Sequence, residues 1–198
     1  MANDQCEIKL IVGLGNPGSQ YDHTRHNIGV DFLYLLADKY KINLSPEAKF
    51  SGITGRGSIN GQEVRLVYPT TFMNESGRSV GAICNFYKIK PDQVLVCHDD
   101  LDLNPGYMKF KFGGGLAGHN GLKSITANLS NSQNYYRLRL GIGKPPSKEV
   151  INWVLGRPSP NDKKLIDDAY ATALVTIDKL FKEGVAKATA LINGFKPL

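Results

Sequence analysis

The chain has 198 residues, 41% of them hydrophobic, enough for one domain with a proper core and too few for two comfortable ones. Its 24 basic and 18 acidic side chains leave a net charge of +6, a modest excess that suits a polyanionic partner without specifying one. Nothing approaches the roughly 18 consecutive apolar residues of a membrane span, and Cys6, Cys84 and Cys97 show neither CxxC nor metal-binding spacing, as expected of a reducing cytoplasm.

The opening MANDQCEIKLIVGLG places Asp4 and Glu7 ahead of a short apolar run that soon meets glycine, so residues 8–14 read as a buried strand and not a leader peptide. Ile28, Phe32, Leu33, Leu35, Leu36 and Tyr40 recur at helical spacing and predict a helix over 27–41. Residues 52–59 and 63–68 flank Asn60-Gly61, the strongest two-residue hairpin signal, so this pair is antiparallel. A helix follows Asn74 through Val80, Ile83 and Phe86, and then a strand over 94–97. Strands over 107–112 and 135–142 enclose a glycine-rich loop, 113–121, and a helix through Leu122, Ile125 and Leu129. The tail is helical from Ser159-Pro160, suited to the cap and first position, through Leu165, Ala169, Ala173, Ile177 and Leu180 to a stop at Gly184. This order predicts an α/β fold: a twisted mixed sheet, parallel and antiparallel, flanked by helices, with a helical C-terminus, in one domain over 1–198.

The chemistry concentrates in IVGLGNPGSQYDHTRHN (11–27), where an apolar strand runs into a glycine-proline turn carrying Asn16 and the pair His26-Asn27 opens the next amphipathic run. A buried strand end, a rigid polar turn and a histidine near a helix start are parts from which an α/β enzyme builds a cleft. Gly13, Gly15 and Gly18 spell the GxGxxG of dinucleotide-binding folds. That fold needs a helix at once and an acidic strand end about 20 residues on, whereas SQYDHTRH has no apolar period before Ile28. A zinc hydrolase using His26, His98, Asp99 or His119 would lack any compact ligand spacing such as HExxH, so neither metal nor cofactor is expected.

Two later segments, PTTFMNESG (69–77) and GGGLAGHNG (113–121), repeat asparagine beside small or apolar residues, and VLVCHDDLD lies between them. Taken together, GLGNPG, TRHN, TTFMN, HDDLD and GHNG at this order and spacing resemble bacterial-type peptidyl-tRNA hydrolase, from about Lys9 to Gly143 and more loosely to the C-terminus. The resemblance implies a cytoplasmic, monomeric enzyme that opens the ester between peptide and tRNA, with tRNA as its partner and no membrane. Such an ester needs only a water, a base and a stabiliser for the oxyanion. His26 suits the base because an unperturbed imidazole, with a pKa of about 6.5, is largely neutral at pH 7, and Asp99 suits the group that fixes its tautomer.

The resemblance assigns Asn16 to discrimination between blocked and free aminoacyl ends within the catalytic set. It assigns Met73, Asn74 and Asn120 to substrate binding near the ester, and Tyr21 and Phe72 to the CCA end. Neutral amides can place a water and hold a carbonyl without moving the histidine's pKa by charge. Lys109 and Lys111 share a face of one strand and Arg137 and Arg139 a face of another, with Lys144 and Lys148 close behind. The resemblance singles out Lys111 and Arg139 as a clamp for acceptor-stem phosphates.

Leu116 and Ala117 stand where many relatives carry His and Gly, Asp100 where Glu is common, and Pro145-Pro146 stiffens a later loop. The competing expectation is a noncatalytic RNA-binding relative, against which the retention of His26, Asp99 and all three asparagines speaks.

Overall fold

The computed structural model describes residues 6–197, so Asp4, cited above against a leader peptide, lies outside the described residues. Seven strands, β1 (Leu10–Gly13), β2 (Ser45–Glu47), β3 (Gly52–Ile59), β4 (Gln62–Pro69), β5 (Val94–Asp100), β6 (Met108–Phe112) and β7 (Tyr136–Gly141), form one sheet in the order β2-β3-β4-β1-β5-β7-β6. The central β4, β1, β5 and β7 run parallel, while β2, β3 and β6 pair antiparallel, giving the expected mixed sheet. The helices are α1 (Ile28–Lys39), α2 (Ser76–Tyr87), α3 (Asn120–Asn128), α4 (Val150–Val154), α5 (Pro160–Glu183) and α6 (Val185–Gly194).

Successive strand residues point to opposite faces, and here they feed two cores. Ile11, Leu95 and Leu138 join Phe32 of α1 with Ile177 and Leu180 of α5. Leu10, Val12, Val94 and Val96 join Val80 and Ile83 of α2 with Ile125 of α3. A strand covered on both sides reads as a continuous apolar run, which is why β1 and β5 stand out in the sequence. Asn60 and Gly61 both take positive φ, 51° and 79°, as a two-residue hairpin turn requires, and β3 and β4 pair without a break from Gly52↔Pro69 to Ile59↔Gln62. In α5 the Ser159 hydroxyl accepts the Asp162 N–H at 3.1 Å, Pro160 follows, and Gly184 ends the helix.

The strand drawn over 94–97 runs on to Asp100, and the reading of VLVCHDDLD as an apolar strand ending in His98, Asp99 and Asp100 holds. Phe86 lies exposed on α2, and on α5 it is Ile166, one position beyond the half-buried Leu165, that enters the core. Gly184 does not end the helical tail: at φ 98° it caps α5 and opens α6. Neither β2 nor α4 has the length or apolar period to announce itself.

The parallel strands β1, β4 and β5 deliver Gly13, Pro69 and Asp100 to one edge of the sheet, and the connections leaving that edge carry the candidate residues, as in other open α/β sheets. The entry to α1 is pressed against this edge. Leu14 N–H donates to the Cys97 carbonyl at 3.1 Å, and Val30 N–H to the Leu14 carbonyl at 3.2 Å. Such an approach requires glycine at position 29, where a Cβ would overlap the Cys97 carbonyl. Gly29→Ala is therefore expected to cost about 1–3 kcal/mol, as overpacking does. In a chain of this size that lowers Tm by about 2–4 °C per kcal/mol. Calorimetric melting checks this, and an unchanged Tm would show that α1 has room to move.

Candidate active site

Asn16 follows β1 in the glycine-proline turn and is buried. Its backbone is locked to the start of α1: Asn16 N–H donates to Asn27 Oδ1 at 2.8 Å, Asn27 Nδ2 donates to the Asn16 carbonyl at 3.0 Å, and the Tyr68 hydroxyl donates to the same carbonyl at 3.0 Å. The Asn16 side-chain oxygen accepts the Met73 N–H at 2.8 Å. The amide's donor half, Nδ2, is then the part left for a substrate.

His26 sits in a 3-10 turn, Arg25–Asn27, immediately before α1. Its Nδ1 lies 2.7 Å from Asp99 Oδ2, and the other oxygen of the same carboxylate, Oδ1, lies 2.7 Å from His119 Nε2. Both tautomers follow from the partners. His119 is the N-cap of α3, where its Nδ1 accepts the backbone N–H groups of Gly121 and Leu122 at 3.1 and 3.3 Å, so its proton is on Nε2 and is donated to Asp99. A carboxylate beside Nδ1 of His26 likewise accepts a hydrogen bond from the N–H at that atom and leaves a bare lone pair on Nε2.

Burial alone would raise the pKa of Asp99, but the two imidazoles outweigh it and hold the carboxyl well below the usual range. Burial alone would lower the pKa of His26, but the charge and hydrogen bond of Asp99 outweigh it and the net direction is upward. His98, on the next position of β5, is pushed down to about 4 by its own burial and by His119, with weaker opposition from Asp99 and Asp100. It therefore stays neutral, and its Nδ1 donates to the Asp99 carbonyl at 2.8 Å.

His26, Asp99 and His119 are also a set of metal-ligand type, their donor atoms within 4.8 Å of one another. The 2.7 Å separations are those of hydrogen bonds. Ligand atoms around a tetrahedral zinc at about 2.0–2.1 Å stand about 3.3 Å apart, and both carboxylate oxygens are already engaged. As it stands, the arrangement is a hydrogen-bonded His–Asp–His chain centred on one carboxylate.

These residues line a cleft of about 590 Å³ that also exposes Phe72, Asn74 and Asn120 and continues over an apolar shelf of Leu101, Leu116, Val150 and Ile151. Of the other expected residues, Met73 lines the same cleft and is buried, whereas Tyr21 lies in a separate turn, Ser19–Tyr21, outside the cleft wall. Lys111 and Arg139 also lie outside it, on β6 and β7. The register Lys109↔Arg139 and Lys111↔Arg137 puts four cations on one face. Arg139 Nε donates to Asp100 Oδ2 at 2.7 Å. Arg137 is not part of a solvated basic strip as the alternation suggests: it is 2% exposed and turned under the glycine loop. His119 was legible only as a conceivable zinc ligand. The signal that could have marked it is the dipeptide His-Asn, which occurs at 26–27 and again at 119–120.

The family profile described as peptidyl-tRNA hydrolase matches residues 10–197. The chain is 55% identical to the peptidyl-tRNA hydrolase of Histophilus somni strain 129Pt over 191 residues, covering 96% of this chain and 98% of that protein. It is 51% identical to that of Haemophilus influenzae strain Rd over the same shares. The crystal structure of peptidyl-tRNA hydrolase from Acinetobacter baumannii superposes with a TM-score of 0.94 at 48% identity, over 98% of each chain. The chain belongs to the peptidyl-tRNA hydrolase family.

Proposed function

We propose that this chain hydrolyses the ester between peptide and ribose in peptidyl-tRNA, acting as a monomer in the cytoplasm, with His26 as general base and Asp99 as its support. The observation that carries the reading is the hydrogen-bonded His26–Asp99–His119 chain, which leaves the Nε2 lone pair of His26 beside a cleft edged by Asn16, Asn74 and Asn120. His26 Nε2 takes a proton from water as the water oxygen attacks the ester carbonyl carbon. Asp99, buried and anionic, stabilises the imidazolium that forms. The amide donors stabilise the negative charge that grows on the carbonyl oxygen. When the tetrahedral intermediate collapses, the carbon–oxygen bond to ribose breaks and the imidazolium returns its proton to the departing ribose oxygen.

Asn16 is well suited to reading whether the amino end near the ester is blocked, because its position is fixed by bonds to Asn27, Tyr68 and Met73. Phe72, 58% exposed at the cleft rim, offers a face on which a base of the CCA end can stack. Tyr21 would meet the CCA end only where it leaves the cleft. Lys111, exposed on the edge strand, and Arg139, whose Nε is held by Asp100, are the phosphate contacts. Like charges directly opposite on paired strands are unfavourable, and a phosphate backbone would relieve them.

The direct test is release of N-blocked amino acid from N-blocked aminoacyl-tRNA by the purified protein, with NAD and zinc as control additions. His26→Ala is expected to fold and to lose about 10²–10⁴ in kcat, the usual reach of a general base. Near-parental turnover would remove His26 from the mechanism. The base must be neutral, so kcat/KM should fall as the medium is acidified, with a midpoint above the ordinary imidazole value of about 6.5. Asp99→Asn replaces two acceptors by one acceptor and one donor while both facing rings still donate, so it should lower kcat and move that midpoint to lower pH. A midpoint that stays in place would make Asp99 a structural carboxylate.

Chelation by EDTA, once the tRNA is folded, is expected to leave hydrolysis intact; loss of activity restored by zinc would instead support a metallohydrolase. Lys111→Gln should raise KM for full tRNA substrates, leave kcat nearly unchanged, and flatten the salt dependence of binding by about one unit of log–log slope. A short substrate with only the CCA end should be indifferent to it, and equal damage to both substrates would refute the phosphate contact.

A further inference from the structure

The loop from Gly113 to Gly118 connects β6 to α3 and has little to hold it by itself. Gly113, Gly114, Ala117 and Gly118 all take positive φ, at 68°, 97°, 51° and 72°. A Cβ added at Gly115 or Gly118 would touch nothing within 4 Å. Three consecutive glycines carry the largest backbone entropy a chain can have. Yet this loop must end with His119 at the right place, because His119 caps α3 and reaches Asp99 at 2.7 Å.

What fixes the loop comes from β7. Arg137 donates through Nη1 to the Gly115 carbonyl at 2.5 Å and through Nη2 to the Gly114 carbonyl at 3.0 Å and the Gln133 carbonyl at 3.1 Å. Its guanidinium carbon lies 4.6 Å from the centre of the Tyr135 ring. Tyr135 in turn ties the two ends of the segment together: its carbonyl accepts the Gly113 N–H at 2.9 Å, and its hydroxyl bonds to Thr126 Oγ1 at 3.1 Å and the Leu122 carbonyl at 3.3 Å, both on α3. One buried planar cation thus spans the start of the loop and rests on the ring that holds the helix at its end. A lysine has the same charge but a compact point of donation, and cannot reach three separated carbonyls in one plane. At 2% exposure Arg137 is also out of reach of RNA phosphates, unlike its neighbour Lys111.

We propose that Arg137 is a positioning residue for the hydrolytic step, gripping the Gly114 and Gly115 carbonyls so that the glycine loop presents His119 to Asp99. The proposal rests on the hydrolase reading above for its kinetic consequences, but not for its structural one. The variant Arg137→Lys is compared with the parent on full N-blocked aminoacyl-tRNA and on a short CCA-ended ester. Because a misplacement of about 1 Å can cost roughly 10²-fold, a loss of that order in kcat is expected on both substrates with KM little changed. The acid limb of the rate profile should move to higher pH, since Asp99 without the His119 N–H is left to hold the His26 imidazolium alone. In a His119→Ala background the same change should add little further loss, because both act through one contact. In ¹⁵N spectra of the imidazoles, the Nε2 proton signal of His119, protected in the parent, should broaden or vanish in the variant.

A folded variant with parental kcat, equal losses in both backgrounds, or an unaltered His119 signal would overturn the proposal. If Arg137→Lys does not fold, Arg137→Gln buries no cation and carries the same comparisons. If the parent itself leaves the ester intact, the hydrolase reading fails while the His119 signal still decides whether Arg137 places the loop.

Discussion

A buried carboxylate is expensive unless it is fully hydrogen-bonded, and Asp99 meets that requirement from two directions at once. One oxygen takes the ring N–H of His26 from the entrance to α1, and the other takes that of His119 from the entrance to α3. The charge therefore links two helix starts that are 93 positions apart in the chain, counting from His26 to His119. Misplacing either helix would leave a buried anion partly unpaired. The tight seat of α1 on β5 through Gly29, and the seat of α3 on Tyr135, are the packing conditions under which both histidines arrive.

The remainder of the cleft is built so as not to disturb this charge. Asn16, Asn74 and Asn120 bring donors and acceptors without net charge. His98, adjacent to Asp99, is kept neutral by its burial and by His119, so it adds no second positive centre. Asp100, one position further along β5, turns to the other side of its strand and is taken up by Arg139 and by the N–H of Asp102 at 2.8 Å. Alternation along a single strand thus separates two carboxylates into two environments: Asp99 meets imidazoles and Asp100 meets a guanidinium.

Much of the fold was legible because the decisive signals are local. Asn60-Gly61 fixes a hairpin by backbone preference, Ser159-Pro160 starts α5, and two-sided burial leaves β1 and β5 as apolar runs. The missing elements are those without such signals. The strand β2 is three largely exposed residues that pair only with β3, and α6 follows a glycine that usually ends a helix, with little more than Ala188 and Ile192 to mark its inner face. Within the site, His26 and Asp99 could be read from their motifs, whereas the role of His119 depends on a contact made across 20 positions. Arg137 has the pattern of a solvated strand residue, and only the folding of the glycine loop over it makes it a buried one. Sequence periodicity records which face a residue is on, but not what later covers that face.

A strand with an open side is a template on which another chain can add, and proteins commonly spoil that template with proline or lysine. Here one border is β2, short and carrying Pro46, and the other is β6, which carries Lys109 and Lys111 and whose Phe110 N–H is taken by Asn193 Oδ1 of α6 at 2.9 Å. The lysines on this border thus serve the solubility of the fold whatever they bind. Their charge and the cover given by α6 together make the strand a poor partner for a second copy of itself.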